Sequence, residues 1–128
     1  MKKILSRRFF EGKAPKVAHG LLGKYLVRKI GRKKIAGMIT EVEAYDGFND
    51  RASHASHGKT KRNGVMFGHA ACWYVYFTYG MHWMLNIVTG KKEYPSAVLI
   101  RAILIHGVPY EKTNGPAKLT KILRIDKK

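Results

Sequence analysis

Acidic side chains are scarce in this sequence. Eight Asp and Glu stand against 25 Lys and Arg in 128 residues, a formal net charge of +17. A surplus of that size attracts polyanions, with nucleic acid or an anionic membrane surface as the usual partners. The plainer alternatives are solubility through charge and a ribosome-like structural role. Cysteine is nearly absent: Cys72 stands alone, which excludes an intramolecular disulfide framework and suits a reducing compartment. No apolar run approaches the ~20 residues that a membrane-spanning helix needs. The opening MKKILSRRFFEGK is basic but lacks the apolar centre of a signal peptide. The expected location is therefore the cytoplasm, associated with the nucleoid if the source is prokaryotic. No repeat or low-complexity linker divides the chain, so residues 1–128 read as one domain. Its 45% hydrophobic and 11% aromatic content suits a globular core.

Half of the few carboxylates are crowded together. Glu41, Glu43, Asp46 and Asp50 all lie in 41-EVEAYDGFNDRASHASHG-58. The surrounding pattern is mostly strand-like. YLVRKI, a basic GRKK turn and IAGMITEVEAY read as two paired strands. Residues 72–90 are rich in aromatics and read as strand, turn at Gly80 and strand, and AVLIRAIL at 97–104 reads as a further strand. Residues 15–23 predict a short helix after Pro15. A second helix is predicted after Asn114, Gly115 and Pro116, with Leu119, Ile122 and Leu123 at helical spacing. The expected fold class is mixed α+β, a mainly antiparallel sheet with a few short helices. A regular strand over 35–45 puts Glu41, Glu43 and Tyr45 on one face with Ile35 and Ile39.

Four constellations can carry chemistry. A carboxylate on the half-apolar strand can act as general base or stabilise a developing cation, and the pattern does not choose between Glu41 and Glu43. Surface pairing with lysines is the ordinary alternative. Tyr74, Tyr76, Tyr79 and Trp83 can form core, or a platform on which bases stack, with Tyr79 beside Gly80 placed as a wedge between base pairs. His54-x-x-His57 and His69-x-x-Cys72 have the spacing of zinc ligands, although three histidines weaken that pattern and no metal is expected. Arg101, flanked by Ile100 and Ala102, calls for a carboxylate partner if buried, and Glu43 is the natural candidate.

The segments LLGKYLVRKI, GMITEVEAYDG, SHASHG, RNGVMFG, YVYFTYGMHWMLNIV, AVLIRA and NGPAKL resemble, in order, the alkyladenine (3-methyladenine) DNA glycosylase family. That resemblance implies monofunctional excision of alkylated or deaminated purines from double-stranded DNA by a monomer, without cofactor or metal. It implies Glu43 as general base and Arg101 as the residue that helps hold the catalytic water. Tyr45, His54 and Tyr76 would enclose the extruded base, Asn86 would crowd the amino group of guanine, and Leu99 shares the Arg101 strand face. Tyr79 would fill the gap in the duplex. Lys59, Lys61, Arg62 and Asn63 belong to the basic loop expected to meet DNA, and Lys118 to a motif near the binding surface. No lysine matches a Schiff-base nucleophile, so AP-lyase activity is not expected. Family members continue beyond NGPAKL and carry a longer stretch where this chain has PYEKT, so the domain reads as shortened toward its C-terminus. The alternatives from other classes are a noncatalytic relative that binds damaged or distorted DNA, and an O-glycoside hydrolase using Glu41 with Glu43.

Overall fold

Helix α1 (Arg7–Phe10) leads into α2 (Ala14–Leu21), where Pro15 sits in the first turn with no amide hydrogen to waste. The buried positions Ala14, Val17, Ala18 and Leu21 fall on one stripe and face the sheet. The computed structural model describes residues 4–46, 68–77, 82–91 and 95–125. Beyond α2, Gly23 takes a positive φ of 86° and its amide donates to the Ile39 carbonyl at 2.9 Å, which fastens the helix end to the sheet.

The sheet is antiparallel and five-stranded. Its strands are β1 (Tyr25–Ile30), β2 (Lys33–Asp46), β3 (Trp73–Phe77), β4 (Trp83–Val88) and β5 (Ser96–Ile105), in the spatial order β1-β2-β5-β4-β3. Gly31, at φ 58°, opens the two-residue turn between β1 and β2, a conformation that most side chains resist. A 3-10 turn (Tyr110–Lys112) and helix α3 (Pro116–Ile122) close the described chain. These elements match the α+β expectation, and the strand and helix positions differ from the sequence reading by a residue or two at most ends. The short α1 had no signal in the pattern. No helix among the described residues is long and apolar enough to cross a membrane.

The main core lies between one sheet face and helices α2 and α3. Leu26, Ile39, Leu85, Ile87, Val98, Ile100, Ile103 and Ile105 meet Val17, Leu21, Leu119 and Leu123 there. Tyr74, Val88 and Ala97 form a smaller apolar group, with Cys72 and Tyr76 packed against it.

One expectation fails at the centre of β2. The sequence reading put Ile39 on the same face as Glu41, Glu43 and Tyr45. In the structure Ile39 is in the main core, and so are Val42 and Ala44, at the edge of that core. The alternation therefore breaks between them. The pairing of β2 with β5 is irregular between Ile39 and Glu41 and again between Glu41 and Val42. The side chains of the adjacent residues Thr40 and Glu41 both reach the hydroxyl of Tyr110, which puts them on the same side of the strand. An extra residue of this kind shifts every later side chain to the other face. Strand β5 makes the matching shift: Ile100 and Ile103, three residues apart, both enter the core, with Arg101 between them. Glu43 and Tyr45 thus lie on the face opposite the main core.

Gly37 allows β2 and β5 to approach this closely before the irregularity. A Cβ there would lie 2.8 Å from Ile103 Cδ1, 3.1 Å from Ile103 Cβ and 3.1 Å from Ile105 Cγ1. Gly37→Val is expected to destabilise the fold by about 1–3 kcal/mol through overpacking. The midpoint of urea unfolding checks this, and an unchanged midpoint would count against the close approach.

Candidate active site

Register alone brings the sequence-predicted residues to one face. Tyr45 lies opposite Ala97, Glu43 opposite Leu99, Leu99 opposite Asn86, and Asn86 opposite Tyr74, while Tyr76 follows two residues along β3. Directly opposed residues share a face, as do residues two apart on a strand. Four of the five strands therefore contribute to a continuous row on the face opposite the main core, where Ala97, Leu99, Asn86 and Tyr74 are buried.

Glu43 is held from two directions. Tyr45 donates its hydroxyl hydrogen to Glu43 Oε1, and Arg101 Nη1 donates to Oε2 at 2.8 Å. The expected Arg101 partner is thus present. The pair is not buried, however: the two side chains keep 43% and 40% of their surface exposed. An ion pair so open to water contributes roughly 0–1 kcal/mol to stability. Its effect is to orient the carboxylate, with each oxygen fixed by one donor and one lone pair on each left for water.

Leu99 is 1% exposed and forms the floor behind Glu43. Asn86, 2% exposed, donates from Nδ2 to the Tyr74 carbonyl at 3.3 Å and, more weakly, to the Met84 carbonyl at 3.5 Å. Its orientation is set by the backbone of the β3–β4 pair. The Tyr76 ring packs 5.6 Å from that of Tyr74, at 34°.

The Tyr45 phenol is pushed well above its ordinary range. Burial is the main cause, followed by the hydrogen bond to Glu43, the Glu43 charge and the field of Tyr76, with Arg101 acting in the opposite sense. Tyr45 therefore remains a proton donor to Glu43 at any ordinary pH. A phenol whose folded pKa exceeds its unfolded value of about 10 stabilises the fold fully below that pH. The contribution is lost as pH rises through the folded value. Ultraviolet titration of the folded protein is expected to show a late-ionising tyrosine, and Tyr45→Phe should remove that late step. If the late step persists in the variant, another phenol is responsible.

Lys118, carried from the sequence as a DNA contact, donates from Nζ to the Glu111 carbonyl and to Asn114 Oδ1, both at 3.0 Å. His54, Lys59, Lys61, Arg62, Asn63 and Tyr79 lie outside the described residues, as does His57 of the considered zinc pattern. Among the described residues no three potential metal-binding side chains gather. Sequence reasoning did not anticipate Tyr110, which contacts Thr40 and Glu41 from about 70 residues away. No local pattern could have found so distant a contact.

The family model for methylpurine-DNA glycosylase matches residues 8–128. The chain belongs to the methylpurine-DNA glycosylase family. A protein of Ehrlichia ruminantium (strain Gardel) is 46% identical over 129 residues, covering 99% of this chain and 66% of its own length. One from Legionella pneumophila (strain Paris) is 49% identical over 128 residues, covering 100% of this chain and 69% of its own. Both bear the name "Putative 3-methyladenine DNA glycosylase". The chain thus spans about two thirds of the length of these curated relatives. In this methylpurine-DNA glycosylase family member, the part of the chain that is matched includes every residue of the row from Tyr45 to Tyr76.

Proposed function

We propose that this chain is a monofunctional DNA glycosylase. It would hydrolyse the N-glycosidic bond of alkylated or deaminated purines, of the 3-methyladenine, hypoxanthine and ethenoadenine type, and leave an abasic site. The observation that carries this reading is the doubly held Glu43 carboxylate, half-exposed on a sheet face that also presents Tyr45, Tyr76, Asn86 and Arg101. A base in this position needs access to water and a fixed direction, and Glu43 has both.

In the proposed reaction the target nucleotide leaves the duplex, at a cost that is least for a damaged base. Alkylated purines are electron-poor and often cationic, so the faces of Tyr45 and Tyr76, with His54 as the resemblance implies, attract them by stacking and cation–π terms. Asn86 crowds the exocyclic amino group of ordinary guanine. A water that donates to Glu43 and accepts from a remaining N–H of Arg101 attacks C1′ and gives its proton to Glu43. The same carboxylate stabilises the positive charge that develops on the sugar as the base departs. Tyr79 fills the vacated stack, while Lys59, Lys61, Arg62, Asn63 and Lys118 serve the phosphate backbone. The protein acts as a monomer in this reading, without metal or cofactor.

The test is single-turnover excision from duplexes that carry hypoxanthine or 1,N6-ethenoadenine. Cleavage of the glycosidic bond is expected. Retained binding with no excision of any alkylated or deaminated purine would replace the enzyme by a noncatalytic DNA-binding relative.

A further inference from the structure

We propose that Tyr110 is a positioning residue: by holding Glu41 it keeps Arg101 on Glu43. The inference rests on the glycosylase reading for its catalytic consequence, and on geometry alone for the pairing.

Glu41 lies within the strand irregularity and Glu43 just beyond it, and Glu41 pairs across the sheet with Ala102, the neighbour of Arg101. Arg101 therefore has two carboxylates at hand, and an arginine so placed can serve either. It is bonded to Glu43. Glu41 is engaged elsewhere, because Tyr110 donates its hydroxyl hydrogen to Glu41 Oε2 at 3.2 Å. A phenol carries one such hydrogen, so the 2.8 Å contact between Tyr110 Oη and Thr40 Oγ1 is donated by Thr40. The result is a relay from Thr40 through Tyr110 to Glu41, placed where alternation along β2 breaks.

The phenol is anchored from the β5 side. The Thr113 amide donates to the Tyr110 carbonyl at 2.9 Å, and the buried Thr113 hydroxyl donates to the Ile103 carbonyl at 2.6 Å. The Ile103 amide in turn donates to the Thr113 carbonyl at 3.2 Å. Tyr110 thus links β2 at Thr40 and Glu41 to β5 at Ile103, two residues from Arg101. In a chain with 25 Lys and Arg, Glu41 accepts from a phenol, and among the described residues it has no ion-pair partner. That choice leaves the guanidinium undivided. Removing the hydroxyl frees Glu41 to compete for Arg101, which would draw it away from the water-binding position.

Tyr110→Phe is expected to lower kcat on the order of tenfold at nearly constant KM, and to shift the Arg101 Nε–Hε resonance. Glu41→Gln added to Tyr110→Phe removes the rival charge, and it should restore both kcat and the resonance. Glu41→Gln alone should leave both near wild type. A single Tyr110→Phe variant with unchanged kcat and resonance overturns the proposal. So does a loss that Glu41→Gln fails to restore, since a purely structural role would give that result. If the wild-type chain excises nothing, the glycosylase reading fails, and the arginine resonance in the same three variants still decides the pairing.

Discussion

Glu43→Gln is expected to lower the single-turnover excision rate by about 10²–10⁴-fold, the usual contribution of a positioned general base. The substitution keeps the shape of the side chain but exchanges one acceptor oxygen for an amino group. One of the two present donors, the Tyr45 hydroxyl or Arg101 Nη1, then faces a donor, and no group remains to take the proton from water. The loss should appear in the chemical step. Duplex affinity should hold or tighten slightly, because a negative charge is removed from the surface proposed to meet phosphates. Anisotropy on the same lesion duplex provides the comparison. The fold should tolerate the change, since the Glu43–Arg101 pair is about two-fifths exposed on each side and contributes little to stability. A variant that excises at the wild-type rate would remove Glu43 from the mechanism. Parallel loss of binding and excision would instead assign it to substrate capture.

Several features of this site were legible in sequence because they depend on local period. Pro15 at the start of α2, Pro116 ahead of α3, and the apolar run of β5 are short-range patterns, and each appears as an element in the structure. The choice of Glu43 over Glu41 was not of that kind. Strand parity put both on one face, and the resemblance to a family singled out Glu43. The physical distinction emerges only in three dimensions: Glu43 meets Arg101 and Tyr45, while Glu41 meets Tyr110. Parity failed where Thr40 and Glu41 share a side, because an irregular strand depends on its partner strand and on the turn above it. Those partners lie about 60 to 70 residues away in the chain. Asn86 shows the same limit. The resemblance gave it a place in the base pocket, but its burial and its bonds to the Tyr74 and Met84 carbonyls follow from the pairing of β3 with β4.

Binding through net charge and chemistry at the Glu43 cluster should differ in their response to salt, and this separates the two. Duplex affinity is expected to fall linearly with the logarithm of salt concentration, at a slope near 0.9 per phosphate neutralised. For about 6–10 such contacts the loss between roughly 50 and 200 mM salt is about 10³–10⁵-fold. A chain with a net charge of +17 has ample lysine and arginine to supply them. Excision under saturating protein should barely change over the same range. The contact that matters there is a 2.8 Å hydrogen-bonded pair, far shorter than the ~8–10 Å screening length at such concentrations. The ratio of excision rate to half-saturating concentration should therefore collapse with salt while the plateau rate persists. A flat binding isotherm series would mean that the positive surface does not engage the phosphate backbone. A plateau rate that fell in step with affinity would mean that distant charges help to hold the sugar and base against Glu43. The site would then extend well beyond the row from Tyr45 to Tyr76.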